Sequence, residues 1–246
     1  MVSSQPLSPA RASRAGGSPT GGVDGPSRPG GVALTEALID RADFPLGALV
    51  VDVGRGQGGA VATMARHGLV AVGVDRAADT LARSHEHRLA AADFVLGEAD
   101  ALPFTAGSVD GILAEGCLSP ADDRRRMLAE WFRVLRPGGR LAISDLYRDA
   151  GEDHAGDLGP VDTWHRIAAD LTDVGFRVEW FEDRSDVLVD AVFAEGTPEA
   201  TWGAPGVPVL DRGREVSSGY FIAIAERPAD RPATERRGPR QDFDGV

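Results

Sequence analysis

The sequence predicts an open α/β fold built on a doubly wound, mostly parallel sheet. Three observations lead there. Apolar, β-favouring runs alternate with segments of helical period from about residue 48 to 225. The early runs, Leu49-Val50-Val51 and Val70-Ala71-Val72-Gly73-Val74, are continuous, as in strands buried on both faces. The first run also feeds a glycine-dense turn, Gly54-Arg55-Gly56-Gln57-Gly58-Gly59, which opens a helical stretch. With 246 residues and 42% hydrophobic content, the chain can bury one sizeable core.

The elements follow in order. Residues 1–31 are Ser, Pro, Gly, Ala and Arg with almost no large apolar side chain, so they read as a disordered tail ahead of a domain spanning 32–227. Residues 48–53 are the first strand, 60–67 the first helix with Gly68 as its stop, and 69–75 the second strand. Residues 79–89 read as helix, 94–98 as a short strand and 109–114 as the fourth strand. Ser119-Pro120-Ala121-Asp122 offers a hydroxyl cap, a first-turn proline and an acid for the next helix. That helix carries Met127, Leu128, Trp131, Val134 and Leu135 on one side and ends at Pro137-Gly138-Gly139. Residues 140–146 resume as strand. Trp164, Ile167, Ala168 and Leu171 then mark a helix closed by Gly175, followed by a strand over 177–181. Residues 187–194 have helical character, and 220–225 form the last strand. The stretch 196–218, rich in Gly and Pro, is long for a bare connection and of the kind that covers ligands. A second loose tail occupies 228–246.

The formal net charge of −12 argues against nucleic acid or an anionic membrane as partner and favours a small-molecule substrate. No apolar run approaches the roughly 20 residues that span a bilayer, and no secretory signal is evident, so a cytoplasmic protein is expected. Cys117 is the single cysteine, which excludes an internal disulfide and a multi-thiolate metal site; no metal is expected.

The glycine turn carries the chemistry. Glycines allow positive φ and let a ligand lie where a Cβ would collide. Asp75, ending the second strand with Arg76 beside it, is placed to accept from two ribose hydroxyls. Gly54, Gly56 and Gly59 also satisfy G-x-G-x-x-G, so an NAD(P)-dependent oxidoreductase is a rival. Asp52 tilts the balance: a carboxylate there repels a pyrophosphate but suits a ligand with an ammonium and a sulfonium, namely S-adenosyl-L-methionine. A bare βα turn without ligand is the bland alternative.

Four ordered segments resemble the class I S-adenosylmethionine-dependent methyltransferases, in particular the small-molecule branch around quinone-biosynthesis enzymes. Asp52-Val53-Gly54-Arg55-Gly56-Gln57-Gly58 is similar to that family's first motif, and Asp75 to its ribose-binding acid. Gly97-Glu98-Ala99-Asp100-Ala101-Leu102-Pro103-Phe104 is similar to the adenine segment, where the resemblance assigns Asp100 and the Ala101 backbone. Residues 133–141, around Arg136-Pro137-Gly138-Gly139, resemble the turn into the fifth strand. The resemblance implies a Rossmann-like sheet of seven strands with an antiparallel last one. Residues 115–119 and 144–147 also resemble arsenite methyltransferases. Those enzymes use several cysteines, however, and this chain has only Cys117.

The cofactor-binding candidates are therefore Asp52, Gly54, Gly56, Gly58, Asp75, Arg76, Asp100, Ala101 and Glu115. Candidate catalytic groups are Glu115, Asp145, Tyr147 and His165, each with a structural alternative. His85 and His87 read as surface residues, His154 as a base, a metal ligand or a solvated loop residue, and Trp202 and Phe221 as an aromatic wall or core. Arg124-Arg125-Arg126 reads as a solvated helix face. The lack of an evident base keeps a non-catalytic S-adenosylmethionine-binding or assembly protein as an alternative. The methyl acceptor and the oligomeric state are not readable from the sequence.

Overall fold

Strands β1 (Leu49–Val53), β2 (Val70–Asp75), β3 (Ala92–Leu96), β4 (Val109–Glu115), β5 (Leu135–Arg148), β6 (Arg177–Asp183) and β7 (Ser218–Glu226) build one sheet, in the order β3-β2-β1-β4-β5-β7-β6. The structure is a computed structural model that describes residues 29–54, 58–76, 92–148, 161–188 and 218–229. β7 runs antiparallel to β5 and β6 and the other pairings are parallel, as the family resemblance implies.

Helices α1 (Gly31–Ala42) and α2 (Gly59–Arg66) cover one face of the sheet, and α3 (Arg124–Val134) and α4 (Trp164–Val174) cover the other. Strand alternation sorts the two cores. Val50, Leu113, Ala142, Ile222 and Ile224 meet Leu34, Leu38, Ile39 and Met64. Val51, Val53, Ile112, Leu141 and Ile143 meet Met127, Leu128, Trp131, Ile167 and Leu171. Each of these large side chains is almost wholly buried, which contributes about 1.5–3 kcal/mol apiece in transfer from water.

Several elements differ from the sequence expectation. α1 was not expected at all: Leu34, Leu38, Ile39 and Ala42 do keep a helical period, but Gly30, in its left-handed conformation, caps the helix without a side-chain signal. Gly31, assigned to the tail, is the first residue of this helix. α3 starts at Arg124 and not just after Ser119, because the Asp123 carboxylate accepts from the Arg126 N–H at 3.0 Å, while Ser119 is buried. β5 begins at Leu135, so Pro137-Gly138-Gly139 lies within strand. Proline is tolerated there because the β4–β5 register shifts between Val109 and Gly111. Backbone bonds from Gly138 to the Arg227 carbonyl (2.7 Å) and from Arg227 to the Gly139 carbonyl (2.9 Å) hold that stretch. β3 lies two residues earlier than expected, an offset that preserves which face each residue takes.

The helix expected over 79–89, with His85 and His87, lies outside the described residues, as do Arg55, Gly56, Gln57, His154 and Trp202. So does most of the 196–218 stretch; of the 187–194 helix, only 187 and 188 are described, in a helical turn over 186–188. Both tails lie outside except 29–31 and 228–229. Among the described residues no helix is long and apolar enough to cross a membrane.

Candidate cofactor and methyl-transfer site

Strand order reverses at β1, whose neighbours are β2 and β4, and the crevice beyond the carboxyl ends of such strands is where open α/β sheets bind ligands. Register aligns Val53 with Val74 on one side and with Ala114 on the other. The next residues, Gly54, Asp75 and Glu115, therefore emerge side by side. Because alternate residues share a face, Asp52, Asp75 and Glu115 all point to the α1/α2 side. Asp52 and Asp75 are 7% and 9% exposed, Glu115 is half-buried, and Arg76 is exposed at the rim. Three carboxylates on one face make a crevice suited to a cationic ligand.

The turn itself requires glycine. Gly54 has φ of +131°, and a Cβ there would collide with Cys117 Sγ. Its N–H donates to the Val74 carbonyl at 3.3 Å, and Cys117 Sγ donates to the Val53 carbonyl at 2.7 Å, so the turn is stitched from both neighbours. Gly58, at φ +86°, starts α2. A cradle that a side chain would fill, beside two buried carboxylates, fits an adenosyl ligand carrying positive charge.

The 97–104 segment is held from below by α3. The Leu102 N–H donates to Glu130 (2.8 Å), Trp131 Nε1 to the Ala99 carbonyl (2.9 Å), and Arg133 to the Phe104 carbonyl (2.9 Å). The Arg133 hydrogen bond keeps the Glu130 carboxyl below its ordinary range, so the clamp is charged at neutral pH. Asp100 pairs with Arg126 at 3.1 Å. The Ala101 N–H, expected beside the adenine, donates to the Glu98 carbonyl at 3.0 Å.

The catalytic candidates do not gather at one point. Asp145, 1% exposed, accepts from the Leu118 N–H (2.6 Å), the Ser119 N–H (3.2 Å) and the Leu146 N–H (2.7 Å). Burial pushes its carboxyl up, against the pull of the Ser119 hydroxyl and those three N–H groups. It anchors the loop after β4 to the end of β5. Tyr147 is buried edge-on to Phe181 (5.9 Å) and Phe221 (6.1 Å), with Trp164 4.3 Å from Phe181, so Phe221 belongs to the core. His165 stands exposed on the second residue of α4. Glu115 alone of the four lies at the crevice, where Thr35 Oγ1 donates to its Oε1 at 3.0 Å and lies 3.3 Å from Oε2. Sequence reasoning missed Thr35 because it sits on α1; the available signal was a polar residue inside a helical apolar stripe. Arg124 and Arg125, read as a solvated face, instead pair α3 with Asp162, Asp170 and Asp173 around α4.

Residues 51–143 match the family described as methyltransferase domain. The chain is 33% identical over 168 residues to the O-methyltransferase rstn1 of Aspergillus nomiae, covering 62% of this chain and 75% of that one. It is 31% identical over 218 residues to an O-methyltransferase of Pyrenophora dematioidea, covering 79% and 80%. The solved structure of the [4+2]-cyclase SpnF shares the fold, with a TM-score of 0.67, 24% identity and 81% of each chain covered. With this strand order and relatives at 31–33% identity matched over 75–80% of their own length, the chain belongs to the class I S-adenosylmethionine-dependent methyltransferases.

Proposed function

We propose that the enzyme methylates a hydroxyl of a small organic acceptor held over the crevice between β1 and β4. The observation that carries this reading is the gathering of Asp52, Asp75 and Glu115 on one face, beside a turn that admits only glycine at position 54. When bound, S-adenosylmethionine would supply a methyl group on a sulfonium sulfur. The acceptor oxygen would bond to the methyl carbon as the carbon–sulfur bond breaks, S-adenosylhomocysteine would leave, and the hydroxyl proton would pass to a base or to water. The chain's part is therefore alignment and a dry site. In this reading Asp75 accepts from the ribose hydroxyls with Arg76 at the rim, while Asp52 and Glu115 balance the ligand's positive charge. Gly54, Gly56 and Gly58 allow close backbone approach, and Asp100 with Ala101 bounds the adenine. Asp145 shapes the site by fixing the 116–119 loop. The acidic net charge fits a small-molecule acceptor in place of a nucleic acid.

The fold alone does not assign this chemistry, since a cyclase shares it. Support for oxygen as acceptor comes from the two O-methyltransferase relatives, which match over most of their length. Calorimetric titration with S-adenosylmethionine and S-adenosylhomocysteine, then mass spectrometry of products from phenols, alcohols and amines, tests the reading. Binding followed by methylated phenols or alcohols is expected. No binding at millimolar ligand would sink donor use, and methylation of amines alone would sink the oxygen acceptor. Binding without turnover across the panel would favour a non-catalytic role.

A further inference from the structure

The face that α1 covers is apolar except for one strip. Thr35 is wholly buried in the stripe formed by Leu34, Leu38, Ile39 and Ala42. A helical threonine usually returns its hydroxyl to the carbonyl four residues back. Here the Gly31 carbonyl lies 3.3 Å away, and Glu115 Oε1 is nearer, at 3.0 Å. The register partner of Glu115 on β5 is Ser144, itself buried, with its hydroxyl 3.2 Å from Tyr220 Oη. A polar row thus leads from the crevice under α1, a helix that ends before residue 51, where the methyltransferase-domain match begins.

We infer that Thr35 is a positioning residue for donor binding: its hydroxyl fixes the Glu115 carboxylate at the crevice, so that α1, outside the matched domain, completes the cofactor site. The inference rests on placing Glu115 in the donor site. A glutamate left to rotate has to be immobilised when ligand arrives, which weakens binding about three- to tenfold; prior orientation removes that loss. The chemistry of the partner matters as much. A hydroxyl orients the carboxylate through a directional hydrogen bond that brings no charge of its own. The Arg126 guanidinium on Asp100 instead brings a compensating positive charge.

The test is calorimetric titration of the full chain with S-adenosylmethionine and S-adenosylhomocysteine, using Thr35→Val, Thr35→Ala, Thr35→Ser, Glu115→Gln and Thr35→Val combined with Glu115→Gln. Alanine is measured beside valine so that the result does not hang on how one methyl packs. Thr35→Val and Thr35→Ala should weaken S-adenosylmethionine binding about three- to tenfold, with Thr35→Ser within about twofold of the parent. In the Glu115→Gln background the valine change should add less than about twofold. Unchanged or tighter binding by both the valine and alanine variants overturns the inference, as does a valine effect that persists undiminished without the carboxylate. Absence of binding by the parent chain would remove the donor site itself. Parent-like affinity in Glu115→Gln would remove Glu115 from that site, and Thr35's proposed role with it.

Discussion

Replacing Gly54 by alanine should disable the cofactor turn in two separable ways. The first is conformational: a φ of +131° is one that L side chains rarely adopt, and forcing it costs of order 1–3 kcal/mol. The second is steric, because the new Cβ meets Cys117 Sγ, and overpacking of this kind costs another 1–3 kcal/mol. Together they amount to roughly 3 kcal/mol or more, which for a chain of this length is a fall in Tm of about 6–12 °C. Affinity for S-adenosylhomocysteine should fall at least about tenfold, since a shift of the turn worth 1.4 kcal/mol suffices for that. Cys117→Ala removes the obstructing sulfur together with its bond to the Val53 carbonyl. Alone it should cost less than about 1 kcal/mol. In the Gly54→Ala background it should recover the steric share and leave the conformational share, giving a coupling of about 1–2 kcal/mol in a double-mutant cycle. Urea denaturation and calorimetric titration of the four proteins measure both quantities. A Gly54→Ala protein within about 0.5 kcal/mol of its parent and with equal affinity would refute the reasoning, as would a cycle with no coupling.

Asp145→Ala should destabilise the fold by about 3 kcal/mol in urea titration, because three backbone N–H groups lose their acceptor, less the relief of burying a carboxylate; a loss under 1 kcal/mol would contradict the anchoring role. His165→Ala, on an exposed helix position, should leave turnover within about twofold of the parent, as read from initial rates with an identified acceptor. Asp170 feels burial, which raises its pKa, but its hydrogen bonds and charge contacts with Arg125 and Arg124 outweigh this and hold it below the ordinary carboxylate value. The folded chain therefore binds that proton less readily than the unfolded chain. The resulting stability is present above the unfolded pKa of about 3.9 and is lost as pH falls through the depressed folded value. The stability difference between the parent and Asp170→Asn, from thermal melts, should accordingly shrink in strong acid, and a difference that grows there would reverse the assignment. Trp131→Phe drops the bond to the Ala99 carbonyl and empties the space of the fused five-membered ring, so about 2–3 kcal/mol of stability and a small part of donor affinity should go together, as read by urea denaturation and calorimetric titration.

What the sequence made legible was local. β1 and β2 announced themselves as continuous apolar runs, β7 as the apolar run Tyr220 to Ala225, and Gly175 closes α4 in its left-handed conformation. The reversal of strand order and the antiparallel β7 came through family resemblance, since no local pattern encodes which strands pair. α1 was missed because Gly30 gives no capping cue and a Ser/Pro/Gly-rich stretch runs directly into it. The functions of single polar residues were the least legible. Asp145 reads as a catalytic candidate or a structural acid at the fifth strand until its partners, 26 and 27 residues away, are known. Thr35 and Glu115 are 80 residues apart. Arg227, ordinary in the sequence, donates to the Phe132 and Leu135 carbonyls at the end of α3, each at 2.8 Å. Such contacts depend on where the sheet brings distant segments, which periodicity does not record.

The grip of α3 on the 97–104 segment bears on how this enzyme can be recombined. Glu130, Trp131 and Arg133 hold the backbone of that segment, so its shape depends in part on a helix some thirty residues downstream. Leu102, buried in the core, and Gly97, where a Cβ would meet Pro103 and Val74, add constraints from within the segment. A chimera that imports the loop from a relative while keeping this α3 would have to present a backbone N–H to Glu130 and carbonyls to Trp131 and Arg133 at the same places. The loop and the helix form one heritable module, and grafts should carry both or neither.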